Sequence, residues 1–263
     1  MVEPLIHATA IIDSKAELGN NVAIGPYTII GPGVVIGDDT CVENHVTIKG
    51  DTVIGHGNSI GPYTSIGLSA QDKHHRNEPT KVIIGDENDI REYVSINRGT
   101  LGGTGLTKIG SHNQLFISTH FAHDTRVGDH CMFANGTTLG GHVEIGSYVV
   151  TGGLSAMHQF CRVGDYAMVA GTTAIYQDVP PYVLSSGSRA AAYGINKIGL
   201  QRNGFTAEDI VQVQHLYDLF FSRGLIPKKS RDMIETEIPP GKIRERFLEF
   251  IKNSKRGLIS KGS

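Results

Sequence analysis

"NVAIGPYTIIGPGVVIGDDTCV", residues 21–42, repeats itself every six positions. Ile24, Ile30, Ile36 and Val42 hold one aliphatic place, and Gly25, Gly31 and Gly37 follow it directly. Val22, Thr28, Val34 and Thr40 occupy a second, small or β-branched place. A helical face repeats about every 3.6 residues and a half-buried strand about every 2, so neither explains the pattern. A short strand followed by a corner does. The aliphatic residue points inward, the small residue builds the corner, and glycine offers permissive dihedrals there. Stacked coils of this kind pair their strands in parallel, about 4.8 Å apart. The hexapeptide period is the signature of a parallel β-helix.

Outward from this stretch the pattern covers most of the chain. It starts at Ile6, Ile12 and Leu18 and runs through Ile48, Ile54, Ile60 and Ile66. It returns at Ile84, Ile90 and Ile96, then resumes one residue out of phase at Ile109, Leu115 and Phe121 and continues to Ile175. Two insertions interrupt it, "GLSAQDKHHRNEPTKVI" (67–83) and "NRGTLGGTGLTK" (97–108). The first crowds Gln71, Asp72, Lys73, His74, His75 and Arg76 together and reads as functional. The second, rich in glycine, carries no preference between function and plain surface. Pro180 and Pro181 in "QDVPPYVLSSG" (177–187) stop the repeating strands. The expected organisation is a mainly β fold, with a β-helix over 1–187 and a helical domain over 188–263. Thr206 caps an expected helix carrying Ile210, Val213, Leu216, Tyr217 and Phe220 and ending near Gly224. A later helix, 242–254, places Ile243, Phe247, Phe250 and Ile251 on one face for packing.

Composition agrees. The 263 residues include 33 Gly and no Trp, with 7% aromatic content, which suits a narrow interior of small and medium aliphatics. A net charge of −2 implies no nucleic-acid surface. Cys41, Cys131 and Cys161 are odd in number and lack CxxC spacing, so buried free thiols in a reducing compartment are expected. The first residues lack a signal-peptide pattern, and no stretch approaches a membrane span. The expected localisation is cytoplasmic.

The repeats resemble those of the hexapeptide acyltransferases. That resemblance implies a left-handed β-helix with three hexapeptides, 18 residues, per triangular coil. On such a coil "STHFAHDTRVGDH" (118–130) changes meaning. His123 and His142 are 19 positions apart, one coil plus one residue, and His158 lies 16 further on. His120, His123, His142 and His158 therefore form a candidate column, and His130 falls to the surface. Three readings compete for the column: solvated corner side chains, a zinc site, and acid–base catalysis with Asp124 holding the His123 tautomer. The unclustered cysteines and the spacing of the histidines weigh against zinc. Adjacent residues on a strand point to opposite faces, so His123 and Asp124 can cooperate only if a corner turns them together.

The ordered set "IREYVSINRGT", "STHFAHD", "LGGHVEIG", "MHQFCRVGDYAMVAG", "QDVPPY" and "GINKIGLQRNGF" resembles the UDP-N-acetylglucosamine O-acyltransferases that begin lipid A biosynthesis. The resemblance spans essentially the whole chain. It implies transfer of a 3-hydroxyacyl group from acyl carrier protein to the 3-position of a UDP-amino sugar, by a homotrimer with no metal or organic cofactor. It places the catalytic base on His123, its supporting acid on Asp124 and an oxyanion-binding backbone N–H on Gly141. His120, His142, His158 and Gln159 match sugar- and phosphate-contacting positions, Gln71 and Asp72 substrate-binding positions, and Asn196 and Arg202 nucleotide-contacting ones. Gly171 matches the acyl-length ruler, where glycine leaves room for a long chain. His74 stands where the family carries lysine, and Ile198 and Asn203 replace a Glu and a second Arg. These departures leave open N-acylation of a 3-amino sugar analogue. A zinc hydratase and a non-enzymatic β-helix scaffold are the readings from other classes.

Overall fold

The computed structural model describes residues 5–76, 78–222 and 227–262. Its body is a parallel β-helix. Strands of mostly two residues stack into three sheets of nine, eight and ten strands, with every third strand of the coil joining the same sheet. Partners within the regular coils are one coil apart, as in Ile11↔Ile29, Ile36↔Ile54 and Val42↔Ile60. The two insertions leave this register intact: Ile66 pairs with Ile96, and Ile90 with Leu115. A ladder of buried asparagines crosses the same region. Asn88 Nδ2 donates to Asn58 Oδ1 (2.9 Å), Asn113 Nδ2 to Asn88 Oδ1 (3.0 Å), and Cys131 N to Asn113 Oδ1 (2.8 Å). Each amide satisfies the next coil's polar groups in a dry interior, where unpaired ones are costly.

Both repeat positions read from the sequence are inside. Ile24, Ile30, Ile36 and Val42 are buried, as are Val22, Thr28, Val34 and Thr40. The glycines do a different job from the one expected. Left-handed dihedrals fall two residues later, at Asn21, Tyr27, Asp39, His45, Tyr63 and their counterparts. The glycine beside the aliphatic residue is needed because successive coils touch there. A Cβ on Gly37 would lie 2.7 Å from the Gly55 carbonyl, and one on Gly146 2.7 Å from Asp165 N. Gly153 has no such conflict, its nearest contact being Asn135 O at 3.4 Å. Gly146→Ala should therefore cost about 1–3 kcal/mol of unfolding free energy through overpacking, and Gly153→Ala close to nothing. Chemical denaturation of the two variants side by side checks this.

The left-handed corner positions line up along the edges of the prism, and their rings stack. Tyr27, His45, Tyr63 and Tyr93 form one column with centroid separations of 5.1, 5.0 and 5.1 Å. His130 is exposed, as expected, in a second column between His112 and Tyr148.

The β-helix ends with Val183–Ser186, which pairs in parallel with Met168–Val169 and antiparallel with Ala191–Ile195. Four α-helices follow: α1 (Lys197–Arg202), α2 (Ala207–Tyr217), α3 (Pro227–Glu237) and α4 (Lys242–Lys252). Thr206 caps α2 in a capping box with Asp209, and α2 runs on into a π-helical turn, Asp218–Ser222. The expected end near Gly224 lies outside the described residues. Phe247, Phe250 and Ile251 of α4 are buried in the tail's own core, with Ile243 packed against it. Two helices, α1 and α3, were not anticipated; α1 has six residues, and α3 (PKKSRDMIETE) is mostly polar, with few apolar residues to mark a face. The cysteine expectation needs one correction: Cys131 and Cys161 are buried free thiols, whereas Cys41 is exposed. Among the described residues no helix is long and apolar enough to cross a membrane.

Candidate active site

Three corner residues meet where the coil turns after His120–Phe121 and, one coil on, after Thr138–Leu139. Asp124 adopts φ 59° and His142 φ 61°, in the left-handed region. That backbone removes the objection that neighbours on a strand face apart. His123 Nδ1 lies 3.0 Å from Asp124 Oδ2. The His142 ring stands edge-on to His123 at 5.1 Å between centroids, and its Nε2 is 3.9 Å from the same oxygen. On the far side His142 stacks on Phe160 at 4.4 Å.

The Asp124 side chain is fully buried, and its charge is balanced by donors rather than by water. Oδ2 accepts from Thr100 N (3.1 Å), Thr100 Oγ1 (2.7 Å) and His123 Nδ1; Oδ1 accepts from Thr104 N (2.8 Å). Burial pushes this carboxyl up, but the bonds from His123, Thr100 and Thr104 outweigh it and hold the group well below the usual carboxylate range. It is an anion at working pH. His123 Nδ1 therefore carries the proton toward Asp124, which leaves Nε2 as the ring's free acceptor.

That ring lies over Gly141. A Cβ there would come within 2.5 Å of His123 Cε1 and 2.7 Å of Nε2, so only glycine admits the ring. Gly141 is itself buried, and its N–H has no acceptor among the described residues. The ring of the candidate base thus stands against a glycine whose amide donor is unspent.

Zinc fits this cluster poorly. His123, Asp124 and His142 offer ligand atoms within 4.8 Å of one another. Yet five protein donors already stand within hydrogen-bond distance of the Asp124 oxygens and His123 Nδ1 is committed to one of them, so two imidazole nitrogens are left. Structural and catalytic zinc sites use three or four protein ligands.

The other expected residues divide. His120 is bonded to Ser95 Oγ (2.7 Å); burial lowers its pKa and the neighbouring His123 lowers it further. His142 is also shifted down by burial, against the pull of Asp124. Asp72, from the first insertion, comes near enough to feel the charge of His123; the amide of His74 bonds its carboxyl (2.8 Å) and lowers its pKa. Gln71 and His74 are exposed beside it. His158 does not join the column. It stands two residues earlier in its turn than His142 does in its own, and meets Arg256 Nη2 at 3.2 Å and the Tyr176 ring at 5.7 Å. Gln159 is exposed on the coil beyond Gly141. Asn196 is a buried N-cap: its Oδ1 accepts from Gly199 N and its Nδ2 donates to Tyr166 O. Arg202 is exposed at the end of α1. Gly171 follows Met168–Val169, in a different sheet from His120–Phe121, so it lies on another edge of the prism from His123. Thr100 and Thr104 were missed: Thr100 closes the stretch "IREYVSINRGT" without a role attached to it, and Thr104 lies in the glycine-rich insertion where no motif marks it.

Asp124 and His142, with Thr104, Arg126, Phe160 and Arg256, border a groove of about 800 Å³ that runs to the end of α4.

Comparison with known proteins agrees with this architecture. Residues 15–50 match the bacterial transferase hexapeptide family, and residues 178–259 match domain 2 of UDP-N-acetylglucosamine O-acyltransferase. The acyl-[acyl-carrier-protein]--UDP-N-acetylglucosamine O-acyltransferase of Halorhodospira halophila is 41% identical over 97% of this chain and 98% of its own. LpxA from Acinetobacter baumannii is 44% identical and superimposes with a TM-score of 0.94, covering 97% of this chain and 100% of the other. A more distant structure, the UDP-N-acetylglucosamine acyltransferase of Arabidopsis, is 30% identical with a TM-score of 0.83 over 97% of this chain and 100% of its own. Matched in its repeats, in its helical tail and along nearly its whole length, the chain belongs to the UDP-N-acetylglucosamine O-acyltransferase family.

Proposed function

We propose that the chain moves a long 3-hydroxyacyl group from acyl carrier protein to the 3-hydroxyl of UDP-N-acetylglucosamine, the first step of lipid A biosynthesis. The observation that carries the chemistry is the 3.0 Å contact between His123 Nδ1 and Asp124, which leaves Nε2 free on a ring that lies over Gly141. His123 Nε2 takes the proton of the sugar hydroxyl as its oxygen attacks the thioester carbon. The tetrahedral oxyanion forms against Gly141 N–H. Collapse breaks the C–S bond, and the imidazolium returns the proton to the thiolate. Asp124 keeps the ring oriented and balances its charge in between. A thioester is already activated, so positioning and one base suffice, with no cofactor in any step.

His142 and His120 stand beside the base and suit contacts to the sugar, as does Asp72 from the insertion. His158, Gln159, Gln71, His74 and Arg202 have the exposure to reach the rest of the substrate; Asn196, spent on its cap, suits a positioning role. A second copy would complete the site. Gly171 and His123 lie on different edges of one chain, so a groove joining them passes between copies. Leu154, Tyr27, Tyr63 and Tyr93 expose large apolar surface along the Gly171 edge, which also suits burial in a homotrimer. A cytoplasmic location follows from the two soluble substrates.

The acyl-length role of Gly171 has a direct test. Its nearest contact to an added Cβ is Gly153 O at 3.3 Å, so a side chain there needs the neighbouring coil to give by a few tenths of an ångström. Gly171→Met should shift preference to acyl chains several carbons shorter, by about ten-fold or more in kcat/KM ratio. Competition between carrier-protein thioesters of graded length reads the ratio. The acceptor is tested by offering the N-acetyl sugar and its 3-amino analogue: a product cleaved by mild base is the ester, and a resistant one the amide.

A further inference from the structure

The second insertion, 97–108, breaks the repeat, and beyond Thr100 no family motif covers it. It leaves the coil after Ser95–Asn97 and returns with Leu106–Ile109. Between these it folds into a tight knot in which Thr100 O accepts from both Gly103 N (3.1 Å) and Gly105 N (3.0 Å). The knot sits on the acid of the dyad. Thr100 is buried and meets Asp124 Oδ2 with both its amide and its hydroxyl; Thr104 N meets Oδ1. The Thr104 hydroxyl is shared between Leu106 O (3.0 Å) and Oδ1 (3.1 Å) and donates to one at a time. A Cβ on Gly103 would lie 2.5 Å from Asp124 Oδ2 and 2.5 Å from His142 Cε1, so the knot also packs against both residues.

We propose that this insertion is a positioning element for the proposed reaction, and that Thr100 is its chief residue, fixing the Asp124 carboxylate and thereby the orientation and basicity of His123. The proposal rests on the acyl-transfer reading above. Its physical content is competition for one oxygen. Thr100 Oγ1, at 2.7 Å, and His123 Nδ1, at 3.0 Å, both draw on Oδ2. Removing the hydroxyl leaves more of the carboxylate's charge to the imidazolium. It also loosens the carboxylate, and a small misplacement of a catalytic group is costly. The titratable groups facing His123 are Asp124, His142, His120 and Asp72. Of these only Asp124 is bonded to Thr100, so a change at Thr100 reaches His123 through that carboxylate.

The test compares Thr100→Val and Thr100→Ser in the full chain, with kcat, KM and the pH profile of kcat/KM measured on thioester and sugar. Thr100→Val should lower kcat about ten-fold with little change in KM and move the acid limb of the profile upward. Thr100→Ser, which keeps the donor, should restore both. Unchanged kcat and acid limb in Thr100→Val would overturn the proposal, and so would Thr100→Ser behaving like Thr100→Val. His123→Gln assayed in parallel separates the two levels. An active His123→Gln sinks the catalytic reading itself, whereas an inactive one beside an unperturbed Thr100→Val sinks only the positioning role.

Discussion

His123→Ala should lower kcat about 10³-fold while leaving KM nearly unchanged, at a cost in thermal stability smaller than that of losing Asp124. The size follows from the chemistry. General-base catalysis contributes about 10²–10⁴-fold, and no neighbour is placed to take over. Asp124 is a poor substitute, because its oxygens are spent on Thr100, Thr104 and His123 itself. His142 stands nearest, but its ring is locked between Phe160 and the His123 edge, and its Nε2 looks back toward Asp124. Loss of the ring removes one donor to the buried Asp124 carboxylate, but the Thr100 and Thr104 donors remain, so the fold loses less than it would with Asp124 itself. Steady-state kinetics with a melting curve on the same preparation distinguish lost chemistry from lost structure.

Replacing Asp124 should damage both. In Asp124→Ala the amides of Thr100 and Thr104 and the Thr100 hydroxyl lose their acceptor inside the protein. Removing one partner from a buried charged network costs about 3–5 kcal/mol, so a large fall in denaturation midpoint is expected. Activity should fall about 10²-fold or more as His123 loses its orientation. Asp124→Asn keeps the volume but points an NH₂ at donors, so it should rescue little of either. The pH dependence has a definite sign. The Asp124 carboxyl is held below its unfolded value, so its contribution to stability is fully present above the unfolded pKa of about 4. It is lost as pH falls through the lower, folded value. Below about pH 4 the parent protein should therefore lose stability with falling pH more steeply than Asp124→Ala does, and equilibrium unfolding at stepped acid pH reads that difference.

The fold was almost wholly legible because the β-helix writes its geometry into a period. Ile24, Ile30, Ile36 and Val42 are recognisable as one buried stripe each coil, whatever surrounds them. The coil length also made the pairing of His123 with His142 legible, since one coil plus one residue brings them side by side. The same arithmetic failed for His158. A shortfall of two residues matters little for a strand pointing inward, but at a corner it turns the side chain toward Arg256 instead. The glycines were visible and their reason was not. A dihedral requirement and a close approach leave the same letter in a sequence, and only the neighbouring coil tells them apart. Thr100 and Thr104 were out of reach for another reason. They act from an irregular insertion, more than a coil before Asp124, and their role depends on a knot that no periodicity encodes. In the tail, the cap at Thr206 was legible because a capping box is a local pattern, whereas α3 joins the tail's core through Met233 and Ile234 and shows no such local signature.

The central claim is that His123, held by Asp124, transfers an acyl group onto a UDP-amino sugar. The most direct measurement offers the purified protein UDP-N-acetylglucosamine with 3-hydroxyacyl carrier-protein thioesters of graded length and follows the products by mass. The expected result is a singly acylated UDP-N-acetylglucosamine, formed fastest from a long chain and nearly abolished in His123→Ala. No transfer to this sugar or to its 3-amino analogue, or undiminished transfer by His123→Ala, would contradict the account.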